Sequence, residues 1–104
     1  MKKPPPRLTD LGNVLVSKSF QDAWQKLSAQ QQRILIRKVA LLRANPRHPS
    51  LKAHRLRRST EDIWACYVSG TQRLLYRHTQ GKLHLCMVGP HGIVDKIHVY
   101  QFAS

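Results

Sequence analysis

The sequence predicts an α+β domain in which a two-helix hairpin packs on one face of a small antiparallel sheet of three to five strands. Three observations lead there. Phe20, Ala23, Trp24 and Leu27 recur at i, i+3, i+4 and i+7, one face of a short helix. Ser28-Ala29-Gln30-Gln31 has the spacing of a capping box directly ahead of a second apolar-periodic run. Beyond Ser59 the apolar period falls to two in three successive runs.

Residues 1–12 are basic, proline-rich and without periodicity, and read as a flexible arm ahead of a single domain over 13–104. Val14, Leu15 and Val16 suggest a short strand. Ser19 is placed to cap the first helix. In the second helix Leu35, Val39 and Leu42, flanked by Ile36, form the buried stripe, while Arg33, Arg37 and Lys38 point away. Asn45-Pro46 ends it, since a residue before proline avoids helical geometry. From Pro46 to Ser59 the chain reads as an exposed basic loop anchored only by Leu51 and Leu56. Ile63 to Val68, Arg73 to His78 and Leu83 to Val88 are strand-like, with turns at Ser69-Gly70-Thr71 and Thr79-Gln80-Gly81. They form an antiparallel meander whose far face is left free to bind. Ile93 to Tyr100 fits a further strand or a short helix equally well.

Composition narrows the function. The chain has 104 residues, with 18 Lys+Arg against 5 Asp+Glu, a formal charge of +13. With 41% hydrophobic residues a core is affordable, so the charge must be displayed on a folded surface. Such a surface suits an anionic partner. The longest apolar runs, Ile34-Leu35-Ile36 and Val39-Ala40-Leu41-Leu42, fall far short of the roughly 20 residues a membrane span needs. Prolines stand where a secretory signal would turn apolar. Cys66 and Cys86 form no CxxC pair and fit a reducing cytoplasm. His84, Cys86 and His91 match no standard zinc spacing, so no metal and no small-molecule cofactor are expected.

Several short motifs follow the helical hairpin in a fixed order. These are Leu51-Lys52-Ala53-His54-Arg55-Leu56, then Trp64 with Val68, then Arg73-Leu74-Leu75-Tyr76, then Gly81 through Val88-Gly89-Pro90-His91. Over about residues 13–92 this order resembles the RelE/ParE superfamily of bacterial type II toxins. The resemblance implies one of two activities. RelE-, YoeB- and YafQ-like members cut mRNA in the ribosomal decoding site, whereas ParE-like members inhibit DNA gyrase and lack the nuclease residues. It also implies a cognate acidic antitoxin as partner, together with the ribosome and mRNA, and no membrane.

Metal-free RNA cleavage by 2′-hydroxyl attack needs a base, positive charge at the phosphorus and an acid for the departing 5′-oxygen. Arg73 matches the arginine of the family's R-L-x-Y strand motif, where a guanidinium can grip the scissile phosphate. His91 matches the histidine of a G-T-H motif, with Pro90 in place of threonine, and imidazole chemistry suits a general acid. His54 matches the histidine of L-K-x-H-x-L and is the candidate base. Lys52, Arg55, Arg57, Arg58 and Arg77 are the candidate RNA-binding cations. YafQ-like members also carry His and Asp where this chain has Tyr67 and Thr71, and YoeB-like members a carboxylate where it has Pro49. Tyr67, Asp62, His98 and Tyr100 are the available substitutes. Plainer readings coexist: Arg73 as a strand arginine paired with Glu61 or Asp62, His91 as a turn residue, His54 as surface. Trp64 and Tyr76 read as core. The competing functional readings are a ParE-like gyrase inhibitor and a non-catalytic RNA-binding member.

Overall fold

The computed structural model describes residues 4–56 and 62–94. In chain order the elements are a 3-10 turn Leu8–Leu11, β1 (Leu15–Val16), α1 (Lys18–Lys26), α2 (Ala29–Ala44), a 3-10 turn Pro49–Leu51, β2 (His54–Arg55), β3 (Trp64–Tyr67), β4 (Gln72–Thr79) and β5 (Lys82–Pro90). The sheet has five strands in the order β1-β5-β4-β3-β2. The α+β class is as expected, and β2 to β5 pair antiparallel. The sheet is nevertheless mixed, because β1 runs parallel to β5 with Leu15 opposite His84. Alternation in a two-residue edge strand says nothing about its direction, which is set by the edge left open after β3 to β5 have paired.

The cap of α1 lies two residues earlier than expected. Ser17, not Ser19, accepts the Phe20 backbone N–H at 3.0 Å. Its hydroxyl also donates to the Cys86 carbonyl at 2.6 Å, and its own N–H donates to the Leu85 carbonyl at 3.0 Å. Ser17 is completely buried and stitches the start of α1 onto β5. We expect Ser17→Ala to cost about 2 kcal/mol, a lost cap plus a lost buried hydrogen bond to β5, read as a lower urea midpoint with unchanged slope. A loss under about 0.5 kcal/mol would contradict this.

The α2 boundaries follow the sequence. Ser28 and Gln31 close the capping box reciprocally at 3.1 and 2.9 Å, and Asn45 ends the helix. Leu35, Val39 and Leu42 enter the main core with Phe20 and Trp24 of α1, facing Cys66, Leu74, Tyr76, Leu85 and Val88 of the sheet. Within the stretch 1–12, Leu8–Leu11 lies against α2, and Leu11 is buried in this core. Tyr76 is core as expected, whereas Trp64 is only half-buried.

Two backbone features place the end of β5. Gln80 and Gly81 both have positive φ, 53° and 76°, the two-residue hairpin turn that matches strand twist and joins Thr79 to Lys82. Further on, Leu75 faces Met87 and Tyr76 faces Leu85, so Cys86 is an extra residue, a β-bulge. The bulge shifts the alternation, so that both Leu85 and Val88 reach the helices while Cys86 lies on the other face. That face is not left bare, as the sequence suggested. Ile63, Ala65, Leu75, Cys86 and Ile93 form a second buried cluster there, with Leu56, Met87 and Val94 packed around it. Residues 91–94 form a 3-10 turn, and the rest of the segment expected over Ile93 to Tyr100 lies outside the described residues.

Candidate active-site cleft

Position along the sheet decides which side chains meet. The C-terminal end of β3, the start of β4 and the end of β5 lie side by side, with Tyr67 opposite Arg73 and Arg73 opposite Gly89. A cleft of about 270 Å3 opens at this end, lined by Lys52, His54, Cys66, Tyr67, Arg73 and His91. His54, Arg73 and His91, the three candidates for RNA cleavage, thus come to one cavity from three separate stretches of chain.

Each is positioned by a local cause. Arg73 is the second residue of β4, just after the turn, and its Nη1 donates to the Ser69 and Gln72 carbonyls at 3.0 and 3.1 Å. One nitrogen is thereby tied to the backbone, and Nε and Nη2 remain as donors for a ligand. The expected alternative partner, Asp62, instead pairs with Arg55 at 2.6 Å. His91 begins the 91–94 turn directly after β5, and the close fold-back requires Gly89: a Cβ there would lie 2.8 Å from Ile93 Cγ2. His54 opens β2, and its Nδ1 lies 3.1 Å from the Lys52 carbonyl. A carbonyl only accepts, so Nδ1 carries the proton and the neutral ring presents Nε2 as a base. Lys52 itself is left-handed, φ 47° and ψ 40°, a conformation costing a non-glycine residue about 1–2 kcal/mol.

Tyr67 is the hub of the charge. Arg73 Cζ stands 4.9 Å from its ring centroid, Lys52 Nζ 5.6 Å and Lys38 Nζ 5.9 Å. Ring–cation attraction holds each in place by about 0.5–1 kcal/mol at such exposure. Among the described residues the ion pairs are Lys18–Asp22 and Arg55–Asp62, and neither involves the three cations. Three cations around one ring repel one another and favour an anion between them.

Of the remaining expected RNA contacts, the described Arg55 and Arg77 do not gather here. Arg55 is exposed and turned to Asp62. Arg77 sits four residues along β4 from Arg73, on the order of 13 Å away, with Nε 3.1 Å from His84 Nδ1. Arg57, Arg58, Glu61, His98 and Tyr100 lie outside the described residues. Two cleft components went unassigned in the sequence. Lys38 read as a solvated helix flank; the signal was its place beside Val39 in the buried stripe, from which a long stem can carry its ammonium over the sheet edge. Cys66 is the other.

Cys66 is 1% exposed at the cleft wall, and burial pushes its thiol up to about 12, only partly opposed by the Lys38 ammonium. Burial also raises the Tyr76 phenol, with Cys66 adding to the effect. Cys66 is therefore a protonated wall and not a nucleophile. The unfolded chain loses this proton near pH 9 while the fold retains it to about 12. The folded state then binds more protons, and stability falls as pH rises through that window, by up to about 4 kcal/mol. Urea midpoints between pH 8 and 11 are expected to fall steadily, and less steeply in Cys66→Ala; parallel curves for the two proteins would contradict it. Among the described residues no three of His, Cys, Asp and Glu group to hold a metal ion.

No family model and no curated protein matches the chain. Solved structures do, and they show the fold, the α+β fold of RelE-like toxins. One is a copper-bound mutant toxin from Helicobacter pylori, 24% identical, TM-score 0.66, with 77% of this chain and 94% of that one covered. YafQ from Escherichia coli strain BL21(DE3) is 22% identical, TM-score 0.64, covering 79% and 96%; it also occurs in a DinJ–YafQ toxin–antitoxin complex. A YoeB/ParE toxin from Agrobacterium tumefaciens is 17% identical, TM-score 0.64, covering 77% and 99%. No helix among the described residues is long and apolar enough to cross a membrane.

Proposed function

We propose that the chain is the toxin of a type II toxin–antitoxin pair, and that it arrests translation as a ribosome-dependent mRNA endoribonuclease. The observation that carries this reading is the convergence of His54, Arg73 and His91 on one cleft ringed by positive charge. His54 Nε2 removes the 2′-hydroxyl proton, and the freed oxygen attacks the adjacent phosphorus. Arg73, with Lys52 and Lys38, stabilises the extra negative charge on the phosphorane. His91 delivers a proton to the departing 5′-oxygen, leaving a 2′,3′-cyclic phosphate and a 5′-hydroxyl.

The histidines stand exposed, so substrate orientation comes from outside the chain. The ribosome supplies it by fixing mRNA geometry. The partner that silences the site is an acidic antitoxin segment, folding on binding to a surface of formal charge +13 and covering Arg73. YafQ, with a similar fold, is found with an antitoxin in the DinJ–YafQ toxin–antitoxin complex.

Induction from a tight promoter, with labelled methionine and thymidine followed in parallel, tests the reading. Methionine incorporation is expected to stop within minutes while thymidine incorporation continues. The reverse order, with filamentation, would make the chain a gyrase inhibitor of the ParE kind. Unimpeded growth, with salt-sensitive RNA binding alone, would make it a non-catalytic RNA-binding member.

A further inference from the structure

A second hollow of about 390 Å3 lies beside the cleft, and Lys52 lines both. Its apolar wall is Trp64 with Pro46, Pro49 and Ala53, and its polar rim is Arg47, His48 and Lys52. Trp64 is half-buried: part of the indole packs on the main core, and the remainder lines the hollow. The wall is preformed, because Leu51 at the end of the Pro49–Leu51 turn is fully buried and the prolines stiffen the chain on either side of His48.

The ligand chemistry follows from these groups. An aromatic face between proline rings suits a flat ring system, and a rim of two cations with no carboxylate among the described residues suits an anionic ligand. His48 adds one directional donor. Its Nδ1 accepts the Ser50 backbone N–H at 3.1 Å, with Ser50 Oγ 2.8 Å away, so the neutral ring carries its proton on Nε2. Flat, heteroaromatic and joined to phosphate describes a nucleotide. The shared Lys52 ties this hollow to the cleft in which Arg73 and His54 stand.

We propose that the hollow is a nucleobase subsite, taking the base of a nucleotide that flanks the scissile phosphate and stacking it on Trp64. This rests on the nuclease reading of the cleft and adds to it a place where sequence preference arises. Base–aromatic stacking is tolerant of base identity, and the His48 Nε2–H donor is what favours a base presenting a ring nitrogen or carbonyl acceptor.

The test uses the nitrogen-15-labelled chain at low salt with an uncleavable all-2′-deoxy trinucleotide and the same trimer made abasic at its centre. The chain has two tryptophans, so two indole N–H resonances report, assigned with Trp64→Leu. The base-bearing trimer is expected to shift the Trp64 resonance, leave that of Trp24, and bind about tenfold tighter than the abasic one. Trp64→Leu is expected to erase the tenfold difference, and Arg73→Ala to weaken both trimers alike. Equal binding of the two trimers with Trp64 unmoved would overturn the subsite and leave the cleft reading intact if Arg73→Ala still weakens both. A base-dependent Trp64 shift insensitive to Arg73→Ala would support the subsite and overturn the phosphate role of the cleft. Binding of neither trimer would overturn both.

Discussion

Arg73→Ala is expected to slow mRNA cleavage by about 10²- to 10³-fold and to abolish growth arrest, with folding intact. The size is that of removing one preorganised donor from the charge that develops at the phosphorus. Arg73 meets the conditions for such an effect. Its Nη1 is fixed to the Ser69 and Gln72 carbonyls and its guanidinium is held over Tyr67, so little reorganisation is needed when charge forms. Stability is expected to change by no more than about 1 kcal/mol, because the side chain is only half-buried and makes no ion pair among the described residues. Arg73→Lys retains the charge without the planar fork and is expected to recover only part of the activity. Cleavage rates on programmed ribosomes, beside urea melts of the same proteins, check this. Full activity in Arg73→Ala would remove Arg73 from the chemistry.

His54→Ala is expected to cost about 10²- to 10⁴-fold, the range for losing a general base. His54→Gln separates chemistry from placement. A glutamine amide can donate to the Lys52 carbonyl as His54 Nδ1–H does, but offers no basic nitrogen. It is therefore expected to be as inactive as the alanine variant while binding RNA like the parent. If His54→Gln cleaves at more than about a tenth of the parental rate, the histidine only positions its neighbours, and another group is the base.

What the sequence reveals about this molecule divides along local and non-local lines. The Ser28–Gln31 box, the Asn45-Pro46 stop and the Gln80-Gly81 turn are decided within a few residues, and each stands where periodicity put it. Ser17 is different: it outcompetes Ser19 as a cap because Cys86, 69 residues away, offers its carbonyl. β2 is disguised by its charge, since an edge strand facing water tolerates His54 and Arg55 as readily as a loop does. The bulge at Cys86 is a property of the β4–β5 pairing and leaves no mark on alternation within either run.

The site follows the same division. Motif order brought forward His54, Arg73 and His91, and all three line one cavity. Net charge, in contrast, could not sort the cations. Arg55 is drawn off by Asp62 and Arg77 lies beside His84, whereas Lys38, read as a solvated flank, reaches the Tyr67 ring. Which of many lysines and arginines serves an anion is settled by side-chain reach across elements, and that depends on packing.

The central claim is that this cleft cuts RNA held by the ribosome. Mapping mRNA 5′ ends by primer extension on purified ribosomes programmed with a defined message, with and without the chain, tests it most directly. New ends are expected within the decoding site, bearing 5′-hydroxyls, absent when ribosomes are omitted and absent with Arg73→Ala. An unchanged message in the presence of a chain that still arrests growth would contradict it.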